Sequence, residues 1–209
     1  MNDDPDLGDA YALKTPEDSV RLYRNWAETY DTDFVTARGY DYPAKIAALY
    51  AERNNGDAPV LDVGCGTGLV AEVLSVRPMD GVDISPEMLS VAKGKAHYRH
   101  LIEADLTASL PLPDGAYGGF ISVGTFTHGH VGPEALDELA RVAGPGALFV
   151  LGVNAEVFEE LNFAAKIAGM EASGLITAVE IVEGPIYAED ADHDHADDLY
   201  RALIFRRAA

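Results

Sequence analysis

Val60-Leu61-Asp62-Val63-Gly64-Cys65-Gly66-Thr67-Gly68 is the stretch on which the fold turns. Branched apolar residues around Asp62 predict a buried parallel strand, and glycines at 64, 66 and 68 predict a turn directly after it. Leu69, Val70, Ala71, Val73 and Leu74 then recur at helical spacing. A strand, a glycine turn and a helix start form a cradle for a nucleoside-bearing cofactor. Glycines let the backbone approach the ligand, and the helix start offers unpaired N–H groups.

Outward from this stretch, strands and helices alternate from Pro59 onward. Strands are expected at 59–63, 79–83, 98–103, 117–123, 147–153, 175–186 and 199–206, and helices at 68–75, 86–95, 133–142 and 155–169. That alternation implies a doubly wound α/β sheet that is mostly parallel. The last two strands have only the polar loop 188–198 between them, so they should form an antiparallel hairpin at one edge. Residues 16–55 read as helical and end in the turn Asn54-Asn55-Gly56-Asp57. The expected organisation is a helical cap over 1–57 and an α/β core over 58–209, within one structural domain.

A chain of 209 residues with 48% hydrophobic content can bury a full core. No basic, apolar leader and no membrane-length apolar run is present, so a cytoplasmic protein without membrane contact is expected. Cys65 is the sole cysteine, which excludes an internal disulfide and a multi-cysteine zinc site. Fifteen basic residues stand against 35 acidic ones, for a net charge of −20. Such a surface repels phosphate backbones, so nucleic acid is not an expected partner. Solubility, as in a salt-tolerant organism, is the simpler meaning of the charge.

Spacing narrows the cofactor. A dinucleotide turn wants G-x-G-x-x-G, but Leu69 stands where its third glycine belongs. The pattern D-x-G-x-G-x-G resembles motif I of the class I S-adenosylmethionine (SAM) methyltransferases. Further along, Gly81-Val82-Asp83-Ile84-Ser85-Pro86 ends the second strand, with an acid about 20 residues beyond the turn suited to ribose hydroxyls. Ser85 is placed to cap the next helix and Pro86 to open it. Asn25-Trp26-Ala27-Glu28-Thr29-Tyr30-Asp31 is similar to the N-terminal W-A-x-x-Y-D segment of small-molecule methyltransferases, and Thr127-His128-Gly129-His130-Val131 and 141–148 follow in order. Together they resemble the Williams-Beuren syndrome region methyltransferase-like family, and more distantly the ubiquinone and menaquinone biosynthesis methyltransferases.

The resemblance implies a Rossmann-like sheet of seven strands with the last inserted antiparallel, SAM as cofactor and a small-molecule acceptor. It implies that Gly64, Cys65, Gly66 and Gly68 shape the cofactor turn, Asp62 orders the methionine end and Asp83 holds the ribose. Ile84 would pack on the adenine face, Asp105 with Leu106 would read the adenine edge, and Val123 and Gly124 would offer backbone to the ammonium. Tyr30 would touch the cofactor carboxylate or the acceptor; Trp26, Tyr42 and His130 would line the acceptor pocket. His128 is the expected general base, since imidazole titrates near neutrality. The His/Asp loop 188–198 has irregular ligand spacing, and no metal is expected. No Asn/Asp-Pro-Pro-Tyr/Phe element follows strand four and no second cysteine exists, which argues against base methylation. Two other readings stay open: a SAM-binding protein without catalysis, and an NAD(P) oxidoreductase. The oxidoreductase is disfavoured by the glycine spacing and by the lack of a Tyr-x-x-x-Lys pair.

Overall fold

The computed structural model describes residues 38–209 and, before them, Asp18, Arg21, Leu22, Arg24, Ala27, Thr29, Tyr30, Asp31 and Val35. Trp26 lies outside the described residues. The elements run α1 (Tyr42–Arg53), β1 (Val60–Val63), α2 (Leu69–Val73), β2 (Met79–Asp83), α3 (Pro86–Lys95), β3 (Leu101–Glu103), β4 (Tyr117–Phe126), α4 (Ala135–Val142), β5 (Ala143–Asn154), α5 (Ala155–Glu160), α6 (Phe163–Ala172), β6 (Ile176–Pro185) and β7 (Leu199–Arg207).

One seven-stranded sheet has the order β3-β2-β1-β4-β5-β7-β6. β1 pairs parallel with both β2 and β4, so the winding reverses direction at β1/β4, the place where open α/β sheets bind ligands. Only β7 runs against its neighbours, paired antiparallel with both β5 and β6. The expected terminal hairpin is therefore present, with its second strand slotted inside the sheet.

Side-chain alternation along the strands divides the core into two layers. Leu61, Val63, Phe120, Phe149 and Phe205 face α4, α5 and α6. Val60, Ile121, Val150 and Ile204 face Ile46 and Tyr50 of α1 and Val70 of α2. The helix before residue 57 thus shares its core with the sheet. Phe120 stacks on Phe149 at 4.2 Å, and Phe149 on Phe205 at 4.5 Å, a ladder across β4, β5 and β7. Each such pair adds about 1 kcal/mol beyond its buried area and helps set the register of β7.

Local departures have local causes. The helix expected over 155–169 is two helices, because Asn162 takes a left-handed φ of 56° between them. Asparagine tolerates that conformation, and Asn154 caps the first piece by accepting from Glu156 N and Val157 N. β5 starts at Ala143 rather than 147, paired to Tyr117 across a register shift. Ser85 caps α3 through Met88 N at 3.2 Å, with Pro86 in its first turn, as the sequence suggested.

The excess of 20 negative charges makes the folded state self-repelling. Raising KCl from about 0.1 to 1 M shortens the Debye length from roughly 10 to 3 Å. The melting temperature should rise by on the order of 5 °C over that range, read by thermal denaturation. A flat or falling curve would mean that the acids are already neutralised by their ion pairs.

Candidate functional site

The carboxyl ends of β1, β2 and β4 surround one cavity, floored by the glycine turn that joins β1 to α2. Gly64, Gly66 and Gly68 all have positive φ, at 69°, 50° and 91°. Gly64 N and Cys65 N both donate to Val82 O, at 2.8 and 3.0 Å, which ties the turn to β2. A Cβ on Gly64 would stand 1.9 Å from Thr125 Oγ1, so this glycine lets β4 close against the turn. Around Gly66 a Cβ would meet nothing within 4 Å.

Gly68 is not on the cavity wall. A Cβ there would approach Tyr98 to 3.1 Å. Tyr98 fills that space and donates its hydroxyl to Asp62 Oδ2 at 2.6 Å. Asp62 is 1% exposed, and its Oδ1 has no hydrogen-bond partner among the described residues. Burial pushes its carboxyl up to about 7; the Tyr98 hydrogen bond opposes this and the Asp83 charge adds to it. Asp62 lines the cavity, so this buried oxygen is where a ligand cation would be welcome.

Asp83 bridges two loops. Oδ2 accepts from Gly66 N at 2.8 Å and Oδ1 from Ser85 N at 2.9 Å. Burial raises its pKa while those backbone donors lower it. Each oxygen keeps a further lone pair for a hydroxyl donor, and Asp83 lines the cavity with Ile84. Asp105 and Leu106, just past β3, complete that wall, and Thr107 fixes Asp105 by donating N–H and Oγ1–H to its Oδ1. On the β4 side Val123 and Gly124 are exposed to the cavity. Ser122 and Thr125 both donate to Val63 O, at 2.7 and 3.0 Å, binding β4 to the end of β1.

The remaining expected residues divide. Tyr30, Cys65 and His130 line the cavity. His130 Nδ1 lies 2.8 Å from His128 O; a carbonyl only accepts, so Nδ1 carries the proton and Nε2 is the basic nitrogen. Burial lowers the His130 pKa, which keeps the ring neutral. His128 is off the wall, with Nε2 3.5 Å from Glu156 Oε2. Tyr42 is off it too, stacked on Tyr200 at 4.8 Å with its hydroxyl packed toward Gly152. Tyr40, Pro43, Thr67, Met88 and Val131 line the cavity without having been singled out. Thr67 and Val131 had a signal, since they sit inside or beside motifs; Tyr40 and Pro43 had none, since only tertiary packing brings them in. In loop 188–198 His193 meets Tyr187 edge-on at 4.4 Å and His195 lies 3.4 Å from Asp198. Among the described residues no group of three or more His, Cys, Asp or Glu side chains could hold a metal ion.

A family model for the methyltransferase domain (Methyltransf_11) matches residues 61–151. Methyltransferase-like protein 27 of Homo sapiens is 34% identical over 149 residues, which cover 68% of this chain and 60% of that protein. Demethylmenaquinone methyltransferase of Thermus thermophilus is 38% identical over 100 residues, 44% of this chain and 45% of the relative. The chain thus spans roughly half the length of these curated relatives. Among solved structures, the complex of the Haloferax volcanii Trm112 methyltransferase activator with a methyltransferase aligns at TM-score 0.63 and 18% identity. It covers 90% of this chain and 98% of that one, a likeness of fold.

Proposed function

We propose that the chain, whose residues 61–151 match the methyltransferase domain model, is a class I SAM-dependent methyltransferase that transfers a methyl group from SAM to a small-molecule acceptor. The observation that carries this reading is the convergence of Asp62, Asp83 and Asp105 on one cavity floored by the glycine turn. Those residues fit the cofactor group by group. The buried, unpartnered Oδ1 of Asp62 suits the methionine ammonium, and Asp83 suits the ribose hydroxyls. Asp105 with Leu106 and Ile84 suits the adenine edge and face.

Bound SAM supplies a methyl group on a sulfonium, activated for in-line attack. The chain's own part is to align the acceptor and exclude water. His130, held neutral and presenting Nε2 as its basic nitrogen, is the residue we assign to take the acceptor's proton; His128 acts through its carbonyl, which sets the His130 tautomer. Tyr30 covers the cavity from the N-terminal cap. The acidic surface and the absence of any Lys or Arg from the cavity's described lining favour a small neutral or cationic acceptor over nucleic acid.

Calorimetric titration with SAM and S-adenosylhomocysteine should give micromolar binding, with NAD(P)H silent. Asp83→Ala removes a charged acceptor and loosens the turn, and should weaken binding by about 10- to 100-fold. Nicotinamide binding in place of SAM would overturn the cofactor assignment. Release of S-adenosylhomocysteine with a panel of amines, phenols and enols then tests transfer itself, and a chain that binds SAM without turnover on any acceptor would favour a non-catalytic role.

A further inference from the structure

The cap motif around Tyr30 contains one residue that the cofactor reading leaves unused. Asp31 sits beside Tyr30, and its two carboxylate oxygens reach two different parts of the core. Oδ1 accepts from Thr67 Oγ1 at 2.6 Å, and Oδ2 pairs with Lys95 Nζ at 2.5 Å. Thr67 belongs to the glycine turn, is 1% exposed and lines the cavity. Lys95 ends α3 and also pairs with Glu72 of α2. Arg24, further back in the cap, pairs with Glu87 at the start of α3 at 3.1 Å. The cap is thus fastened to the same turn and helices that build the cofactor side of the cavity.

We propose that Asp31 is a positioning residue for the cofactor: by bridging Thr67 and Lys95 it holds Tyr30 on the cavity wall. The proposal rests on the SAM reading and deepens it. Charge-assisted hydrogen bonds from two elements fix a carboxylate more tightly than one surface ion pair does. The side chains of Asp31 and Lys95 are 33% and 20% exposed, so solvent screens the bridge only in part. Tyr30 follows because it is the next residue in the chain. Thr67 touches both the cavity and the bridge, so cofactor occupancy and cap seating bias one another reciprocally.

Asparagine at 31 can still accept from Thr67 but turns an amide donor toward the Lys95 ammonium. Asp31→Asn should therefore weaken S-adenosylhomocysteine binding about tenfold by calorimetry, and Lys95→Met should do the same. A purely structural role would lower the melting temperature without coupling to Tyr30, so the deciding readout is a double-mutant cycle. In a Tyr30→Ala background, Asp31→Asn should cost less than twofold in affinity. An undiminished tenfold loss in that background, or wild-type affinity in both single variants at positions 31 and 95, would overturn the proposal. Failure of the wild-type chain to bind S-adenosylhomocysteine would instead overturn the cofactor reading, and this inference with it.

Discussion

Asp62→Asn should stabilise the ligand-free protein at pH 8 while weakening cofactor binding about 100-fold. The carboxyl is buried, with one oxygen held by Tyr98 and the other without a partner among the described residues. Its pKa rises from 3.8 to about 7, so the folded state keeps a proton that the unfolded chain has lost. Stability from this group is fully present below about pH 4 and is lost as pH rises through 7. That rise corresponds to about 4 kcal/mol between the two limits. Asparagine keeps an acceptor for Tyr98 and carries no charge, though its amide must find a partner. A net gain of about 2 kcal/mol, near 5 °C in melting temperature, is expected at pH 8 and should vanish by pH 5. The affinity loss follows because an ammonium in the cavity would meet an amide in place of a carboxylate. Thermal melts at the two pH values and calorimetry with S-adenosylhomocysteine read both effects. Destabilisation at pH 8 would show that the carboxylate has a compensating partner.

Gly64→Ala and Gly66→Ala should separate folding from binding within one turn. At 64 the added carbon would stand 1.9 Å from Thr125 Oγ1 and 2.8 Å from Thr125 Cβ, at a φ of 69°. Either that backbone or the β4 strand must move. Left-handed strain of about 1–2 kcal/mol and overpacking of about 1–3 kcal/mol add to a loss of roughly 3–4 kcal/mol in urea denaturation. At 66 the added carbon meets nothing within 4 Å, so only the φ of 50° is costly, about 1 kcal/mol. Gly66 nonetheless lines the cavity, and the methyl group occupies space that the ligand needs. Gly66→Ala should therefore stay folded and lose cofactor affinity at least tenfold. Equal destabilisation of the two variants would contradict the packing seen around Thr125.

The sheet was readable from sequence because each strand carries its own signal. Periodic apolar runs and glycine turns are local properties, so all seven strands and a terminal antiparallel hairpin could be anticipated from the residues, while the insertion of the last strand inside the sheet came only from the family resemblance. What failed locally was governed by single residues, such as Asn162, which splits a helix that the apolar pattern would have continued. At the site, Asp62, Asp83, Gly64 and Gly66 line one cavity, while Gly68 lies off its wall. Tyr98 carried no sequence signal, since its value lies in reaching Asp62, 36 residues away, through space that only Gly68 leaves open. Asp31 was visible as part of a motif but not as a bridge, because both of its partners are distant in the chain. From the sequence His128 is the expected base and His130 a pocket residue, but the loop between β4 and α4 turns His130, not His128, to the cavity. Which imidazole faces inward is decided by the loop's path and not by residue type.

The slotted position of β7 leaves β6 as one rim of the sheet, with no further strand paired to its outer side among the described residues. Such a rim invites strand-by-strand aggregation. Here it is a poor template. Ala178 takes a φ of 54° and the pairing slips between Thr177 and Glu180, so the rim bends partway along its length. Along the remainder Glu180 and Glu183 are held in ion pairs by Arg53 and Arg201, at 2.8 and 3.1 Å, so the strand presents paired charge instead of an apolar strip. At the opposite rim, β3 offers only Leu101–Glu103. Protection against strand-by-strand sticking thus lies in the irregular backbone of one rim and the shortness of the other, independent of whatever occupies the cavity.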